Sequence, residues 1–459
     1  MKNIIKFFLL LLILFFSNSF AQNKNDLVTV VGDSLTGKIV DGQNIREIFG
    51  NVVITQGETI ITCNKAVQYM QKNEVELFGD VEVNQDTVKL ITDAGYYYGN
   101  DNIAFSDTGL IMYDGHMILA AMNGYYYLDE EKAYLYEDVK LVDMVSTLTS
   151  NQLTYYQGED KAVSVGDVKI IDSTSTIIAD SLIHFRTSGD SYAFFNVQIS
   201  DAQNDLTIYG DTLVDLKKEK YTKITGRPFL VQIDTTADGL LDTLLLSAGL
   251  LESVSDSVSK LIATDSVKIM RGAFSSFNSN SVLFRNEDRI LTFRKENEKE
   301  PPILWYENSQ LIGDTVNIYL DGNRLEHIDI DKNAVLISVH EEMEFRFDQI
   351  SGDKIQLFFG EEGLKRTNVK GSVLSIYYMF DEDEPNGLIK SSADRTDLIF
   401  DNKKLVDVRL YGSPASEYHP ENLVEGKEKE FTLPTFILYE NRPDKKEMLK
   451  RISNSKSIF

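Results

Sequence analysis

The residues that most often carry out chemistry are scattered along this chain of 459 residues. Its histidines show no metal-ligand spacing, because no two of them lie three to five residues apart. They are His116, His184, His327, His340 and His419. The single cysteine, Cys63, rules out a disulfide within the chain. With no phosphate-binding glycine loop and no nucleophile elbow either, the sequence predicts no metal site and no cofactor.

Carboxylates are abundant, and several of them recur where the pattern predicts turns. Examples are Asp80, Asp107, Asp138 and Asp167. Short acidic side chains cap backbone N–H groups in turns, which explains their presence without catalysis. A catalytic carboxylate pair assembled between neighbouring repeats, as in polysaccharide-processing β-helices, stays open as an alternative. We therefore expect a protein that is not an enzyme.

Aliphatic side chains recur at a fixed step of 29 residues and are the best candidates for a binding function. The first column contains Val52, Val81, Leu110, Val139, Val168 and Val197, followed two residues later by Ile54, Val83, Met112, Leu141, Ile170 and Ile199. The second column contains Ile61, Leu90, Leu119, Leu148 and Ile177 and continues at Leu206. Burial of apolar surface at about 25 cal/mol per Å² would let an open trough of such residues bind acyl chains. If the sheets close completely, the same columns form only a core.

Alternation with a period of two predicts the elements that position these columns. Val81 and Val83 flank Glu82, and such alternation places neighbouring side chains on opposite faces of a strand. Each repeat holds two alternating runs, hence two strands, with glycine and aspartate at the corners and an aromatic residue such as Tyr98 at its end. A strand pair cannot bury its apolar face alone, so the repeats must stack into an elongated all-β fold.

The N-terminal residues and the overall charge predict where the protein resides. Lys2 and Lys6 precede an apolar run, and small residues up to Ala21 suit a signal peptidase. Residues 1–21 are therefore predicted to be a cleaved signal peptide. The chain has 46 Lys and Arg against 71 Asp and Glu, a net charge of −25. So acidic a surface repels nucleic acid.

The regularity of the repeats predicts the domain organisation. We expect a regular repeat array over residues 22–215 and degenerate repeats that continue the same fold over 216–412. Residues 413–459 form a C-terminal tail with a short basic helix, which carries Met448, Leu449 and Ile452 on one side. This helix is either solvated or a docking tail for an acidic or membrane-associated partner.

The repeat motif resembles the OstA-like (LptA) family. The residues that carry the resemblance are Phe78-Gly79-Asp80-Val81-Glu82-Val83, then Leu90-Ile91-Thr92-Asp93, then Tyr96-Tyr97-Tyr98. Similar segments are Pro302-Ile303-Leu304-Trp305, Leu311-Ile312-Gly313-Asp314, Ile318-Tyr319-Leu320 and Lys370-Gly371-Ser372-Val373. The resemblance extends over residues 30–412.

The resemblance implies a β-jellyroll of two facing antiparallel sheets that hold the lipid A acyl chains of lipopolysaccharide, without a cofactor. The two columns would line this groove. It also implies end-to-end strand pairing with other OstA-like transport proteins, location in the periplasm, and peripheral contact with outer-membrane components. On this interpretation the protein is a lipid-binding bridge in lipopolysaccharide transport to the outer membrane. A structural or adhesive β-solenoid with closed columns is the alternative from another class.

Overall fold

The chain divides into two units by its contacts, Met1–Glu159 (unit 1) and Asp160–Phe459 (unit 2). The computed structural model describes residues 28–456 except 202–204, 236–240, 256–257, 286, 322–323, 341–342, 344, 362, 382–383 and 403. The predicted signal peptide lies outside the described residues. The predicted boundaries at residues 215 and 412 stay a prediction.

Strands make up almost all of the described part of unit 1, residues 28–159, and the strand pairings within that part are antiparallel. The strands are β1 (Thr29–Val31), β2 (Ser34–Val40), β3 (Gln43–Gln56), β4 (Thr59–Tyr69), β5 (Glu74–Gln85), β6 (Val88–Tyr98), β7 (Ile103–Ser106), β8 (Leu110–Asp114), β9 (Met117–Ala121), β10 (Asn123–Tyr127), β11 (Lys132–Val142) and β12 (Ser146–Tyr156).

Unit 2 is also built from antiparallel strands, and its described residues add two short α-helices near the C-terminus. The strands are β13 (Lys161–Asp172), β14 (Ser175–Phe185), β15 (Asp190–Asp201), β16 (Leu206–Leu216), β17 (Tyr221–Thr225), β18 (Phe229–Thr235), β19 (Leu241–Ser247), β20 (Leu250–Ser255), β21 (Ser259–Arg271), β22 (Phe274–Phe284), β23 (Arg289–Phe293), β24 (Ile303–Tyr306), β25 (Ser309–Ile312), β26 (Thr315–Asp321), β27 (Arg324–Val339), β28 (Phe347–Gly360), β29 (Gly363–Asp381), β30 (Glu384–Asp401), β31 (Lys404–Tyr411) and β32 (Ala415–His419). The helices are α1 (Glu421–Val424) and α2 (Lys445–Lys456). The predicted all-β class and the short C-terminal helix are confirmed. No helix in the described part combines the length and the apolar character needed to span a membrane.

The Gly-Asp corners bend a strand without ending it. In β5, Gly79 and Asp80 both have left-handed backbone conformations, with φ of +74° and +47°. The pairing register with β6 shifts between Phe78 and Val81, which is a bulge, and bulges bend strands. The Asn64 side chain donates a hydrogen bond to the Asp80 carboxylate at 2.9 Å. The predicted turn is therefore a bend, and its carboxylate stabilises that bend.

Because each long strand bends at its corner, its two arms belong to two different sheets. In β5 the arm before the corner pairs in one sheet, named sheet A, and the arm after it pairs in a second, named sheet B. In unit 1, β7 and β10 lie in sheet A, whereas β8 and β9 lie in sheet B. The sheets face each other: a Cβ added at Gly124 of sheet A would lie 2.9 Å from Cδ2 of Leu110 in sheet B. Unit 2 repeats this plan, with β17 and β20 in sheet A and β18 and β19 in sheet B.

The C-terminal residues 420–450, named the strap, lie on the face of sheet B of unit 2 that points away from sheet A. Gln349 accepts a hydrogen bond from the Leu433 N–H at 2.8 Å and donates one to the Phe431 carbonyl at 3.1 Å. Gln310 binds the strap backbone at Ile437 and Tyr439 in the same way. These pairs fix an extended segment that forms no strand of its own.

Helix α2 docks on the same sheet. Its N-terminus is capped by Asp444, which accepts a hydrogen bond from the Glu447 N–H at 2.8 Å. Met448 is 4% exposed and packs against Phe229 and Leu245. The apolar side of this helix thus contacts the protein's own sheet at Met448, whereas the side chain of Ile452 lies outside the described part.

Candidate functional site

The aliphatic columns line the inner face of sheet B in both units. Sixteen of the seventeen predicted groove residues are at most 6% exposed, whereas Ile199 is partly exposed. The buried sixteen are Val52, Ile54, Ile61, Val81, Val83, Leu90, Leu110, Met112, Leu119, Val139, Leu141, Leu148, Val168, Ile170, Ile177 and Val197. Their position between two sheets is the one that a groove would need, and their binding role stays a prediction.

The opposite wall, sheet A, carries a column that the apolar pattern did not reveal. Ile48, Leu77, Ser106, Leu135, Ser164 and Ala193 recur at the same step of 29 residues and are all buried. Small and hydroxylated residues interrupt this column, so the sequence shows no continuous series of large apolar residues at these positions. Their small volume leaves room for the larger side chains that reach across from sheet B.

Three buried tyrosines of unit 1 lie at the strand ends farthest from the corners. They are Tyr97, Tyr126 and Tyr155 in sheet A, again at steps of 29 residues. The Tyr155 hydroxyl donates to the Asp114 carboxylate at the end of β8 in sheet B, at 2.8 Å. The Tyr97 hydroxyl lies 2.7 Å from Gln56 Oε1 at the end of β3 and 2.7 Å from Asn102 Oδ1. Burial raises the pKa of Tyr97 and of Tyr126, so both phenols stay protonated and able to donate.

These tyrosines occupy the space between the sheets of unit 1 at the strand ends. The bonds of Tyr97 and Tyr155 connect one sheet to the other, and the columns behind them are almost inaccessible to solvent. A hydrocarbon chain can enter there only if sheet A and sheet B move apart. The interior of unit 1 is thus a closed core in this structure.

A cavity of about 260 Å³ opens between the sheets of unit 2. Its sheet B wall includes Ile199, Leu206 and Ile208, and its sheet A wall includes Ile224 and Leu251. The complete lining is Thr174, Ser175, Ile199, Asp201, Leu206, Ile208, Asp215, Lys217, Thr222, Ile224, Leu251, Ser253, Ser255, Leu261 and Arg285. One predicted groove residue, Ile199, and the next member of the second column, Leu206, therefore contact open space.

The strand register shows which side chain of β16 stands at the cavity. Within unit 2, His184 of β14 lies opposite Ser191 of β15, and Ser191 lies opposite Asp215 of β16. Asp215 lines the cavity and is smaller than the tyrosines that fill the space between the sheets of unit 1. A short side chain at this position leaves space between the strand ends.

Charged side chains surround the mouth of this cavity. Lys217 lies 3.1 Å from Asp215 and 3.4 Å from Asp172, and the Thr222 hydroxyl donates to Asp215 at 2.8 Å. Burial alone would raise the pKa of Asp172, but hydrogen bonds from the backbone N–H groups of Thr174 and Ser175, with Lys217 nearby, lower it to about 2. Arg285 stands at the same mouth, and desolvation lowers the pKa of its guanidinium.

The turn carboxylates named in the sequence lie at strand corners and breaks. Asp138 and Asp167 occupy left-handed corner positions, with φ of +53° and +46°, and Asp107 follows β7 directly. In the described part of the chain, no group of three or more His, Cys, Asp or Glu side chains is placed to hold a metal ion. At one of these corners the contact is known, because the Asp80 carboxylate accepts a hydrogen bond from the Asn64 side chain.

Comparison with known proteins finds similarity over part of the chain. Residues 24–180 match the family model described as OstA-like protein. Among solved structures, the chain is similar to LptH, described as the LptA homologous periplasmic component of the conserved lipopolysaccharide transport device from Pseudomonas aeruginosa. That likeness has 18% identity and a TM-score of 0.16, and it covers 29% of this chain and 77% of the other. No curated protein matches the chain.

The family match confirms the resemblance over residues 24–180. This segment includes the first five repeats of the columns, from Val52 to Ile177. For residues 181–412, the resemblance stays a prediction.

Proposed function

From the premise that residues 24–180 are OstA-like, we propose that the protein is a periplasmic lipid-binding bridge in lipopolysaccharide transport to the outer membrane. Proteins of this family are transport proteins and not enzymes, and the match supports a role of the lipopolysaccharide-transport type. The acyl chains of lipid A are held between sheets A and B, against the two aliphatic columns. No covalent step and no cofactor is needed.

The observation that carries this proposal is the cavity between the sheets of unit 2. Two of its wall residues, Ile199 and Leu206, belong to the repeating columns, so the same pattern that builds the core also lines an open space. An apolar wall that water reaches gains free energy when a hydrocarbon chain covers it, about 25 cal/mol per Å². Lipid is therefore proposed to bind first in this cavity and to reach the rest of the groove as the sheets separate.

The closed interior of unit 1 favours a second candidate, a structural β protein. There the columns are buried and the tyrosines bind one sheet to the other. A closed core of this kind stabilises the fold whether or not it ever holds a ligand. The two candidates differ in whether lipid contacts Ile199 and Leu119.

Site-specific photo-crosslinking separates the two candidates. A photoreactive phenylalanine analogue is placed at Ile199 or Leu119 and, as a control, at Lys140, which is exposed on β11. We expect lipopolysaccharide to label the Ile199 probe and, to a lesser extent, the Leu119 probe, with circular dichroism confirming that each variant is folded. If neither interior probe is labelled more than the Lys140 probe, lipid transport in this groove is wrong and the structural candidate is favoured.

The ends of the sheets supply the proposed partner contacts. Within the described residues, β2 pairs only with β3 and β31 pairs only with β30. An unpaired strand edge offers a row of backbone donors and acceptors to another strand. End-to-end pairing with other OstA-like transport proteins, and peripheral contact with outer-membrane components, are part of this proposal.

A further inference from the structure

Arg285 stands at the mouth of the unit 2 cavity with its hydrogen-bonding capacity unused. In the part of the chain that the structure describes, its guanidinium forms no hydrogen bond and no ion pair, although it lies in the lining of the cavity. A guanidinium carries five N–H donors in a fork that suits a carboxylate or a phosphate. The carboxylate of Asp201 acts on it electrostatically.

The other charged groups at the mouth already have partners. Asp215 is bound by Lys217 and by the Thr222 hydroxyl, and Lys217 also approaches Asp172. Asp201 also has interactions of its own. Arg285 is therefore the charged group of the cavity that is available to an incoming ligand.

The walls behind Arg285 define what the rest of the ligand must be. Leu251, Leu261 and Ile224 from sheet A face Ile208 and Leu206 from sheet B. The cavity, at about 260 Å³, is smaller than the roughly 300–1,000 Å³ that sites for drug-sized ligands usually have. It has room for one hydrocarbon chain, and a lipid with several chains could place only one of them here.

We propose that this cavity is a binding site for a single hydrocarbon chain that ends in an oxyanion, with the chain between the two sheets and the oxyanion on the Arg285 guanidinium. This site rests on the proposed function, because it uses the same space between the sheets, and it adds the chemical class of one ligand. The oxyanion is either a carboxylate, as in a free fatty acid, or a phosphate, as on a lipid headgroup. Charge-assisted bidentate pairing favours both over a neutral alcohol.

The test measures binding of small amphiphiles to the full-length mature protein. Decanoate is the probe, and decyl phosphate and decanol are compared with it. Each compound is titrated into the protein, and its binding is measured by isothermal titration calorimetry. We expect saturable binding of the probe, and dissociation constants for both anions at least about tenfold below that of decanol, because one charge-assisted hydrogen bond contributes about that factor. If decanoate binds more tightly than decyl phosphate, the site is assigned to a fatty acid. If decyl phosphate binds more tightly, the site is assigned to a phosphate.

Three variants examine the role of Arg285. Arg285→Gln should weaken the binding of both anions about tenfold and leave decanol unchanged, whereas Arg285→Lys should restore part of the loss. The control is Lys218→Gln, which removes an exposed cation beside Lys217 but outside the cavity lining, and it should change neither. Equal weakening of decanol and decanoate in Arg285→Gln, or no saturable binding of the probe, would overturn the proposal.

This outcome is distinguishable from that of the crosslinking experiment. Lipopolysaccharide labelling at Ile199 without probe binding would contradict only the proposed oxyanion site. Probe binding that depends on Arg285, without lipopolysaccharide labelling, would keep the site and remove the transport proposal.

Discussion

Asp172, which Lys217 contacts at the cavity mouth, is an acidic side chain surrounded by hydrogen-bond donors. Its carboxylate accepts hydrogen bonds from the Thr174 N–H at 2.8 Å and the Ser175 N–H at 2.7 Å, and both hydroxyl groups also donate to it. Although burial opposes ionisation, these donors and Lys217 hold its pKa at about 2, below the value near 3.9 of an unfolded chain. The ionised form therefore stabilises the turn between β13 and β14.

The pKa of Asp172 gives a prediction for stability against pH. Because the folded pKa is the lower one, the stabilisation is complete above about pH 4 and is lost as the pH falls toward 2. Asp172→Asn should lower the free energy of unfolding at pH 7 by up to about 2 kcal/mol, with a difference that shrinks in acid. Urea denaturation of both proteins at several pH values measures this. The matched control, Asp93→Asn on an exposed position of β6, should behave as wild type, and a constant Asp172→Asn deficit at every pH would contradict the assignment.

The tyrosines show which residues could be predicted from the sequence. Alternation and the 29-residue step identified the inner face of sheet B, because valine, leucine and isoleucine occupy it without interruption. The pattern ends each repeat on an aromatic residue such as Tyr98, and in the structure the buried side chain is that of the preceding residue, Tyr97. A shift of one residue changes the face of a strand, and where two or three tyrosines are adjacent the apolar pattern does not favour either face. The recurrence of Tyr97, Tyr126 and Tyr155 at steps of 29 residues identifies these residues in the sequence. Nothing in the sequence indicates that the Tyr155 hydroxyl donates a hydrogen bond to Asp114.

The strap is the element that depends most on tertiary contacts. Arg346 is 6% exposed, and its guanidinium binds Glu421 at 2.6 Å and Glu428 at 3.3 Å. The hydrogen bond from Arg346 lowers the pKa of Glu421. Glu421 also accepts a hydrogen bond from the Gly387 N–H at 3.0 Å. One buried cation thus connects the beginning of the strap to the chain before β28 and to β30.

Removal of that cation should release the strap. Arg346→Met leaves two carboxylates without their partner, and breaking a largely buried ion pair in this way costs about 3 kcal/mol. We expect a lower free energy of unfolding and faster proteolytic cleavage within residues 420–450, followed by mass spectrometry. Lys427→Met is the control, because Lys427 is exposed and its side chain lies outside the network. Cleavage at the wild-type rate in Arg346→Met would show that the apolar contacts of Phe431 and Leu433 hold the strap without the ion pair.

The sequence could not predict the path of the strap. Its helix begins after Pro443 as expected, and the apolar side of that helix was visible from Met448 and Leu449. The surface that receives it is set by Gln310 and Gln349, glutamines that precede their backbone partners by 82 to 129 residues. Such polar residues leave no periodic signal, and only the folded sheet brings them to the strap.

At the scale of the whole molecule, an exposed apolar edge strand is combined with a strongly acidic chain. On β2, the exposed fractions are 55% for Leu35 and 76% for Ile39, and the strand pairs on one side only within the described residues. Edges of this kind favour pairing with another chain. The net charge of −25 opposes the approach of two copies, and salt screens that repulsion.

These two properties predict salt-dependent self-association through β2. The protein should form larger species at high salt than at low salt in sedimentation velocity experiments, because added salt weakens the repulsion and leaves the edge contact intact. Leu35→Lys combined with Ile39→Lys should keep the protein monomeric at both salt concentrations, since lysine on an edge strand disfavours pairing. The control is Ile60→Lys with Ile118→Lys, which makes the same change of charge at exposed positions of β4 and β9, strands that are paired on both sides. If the control also abolishes association, the change in net charge is the cause, and β2 is not the contact.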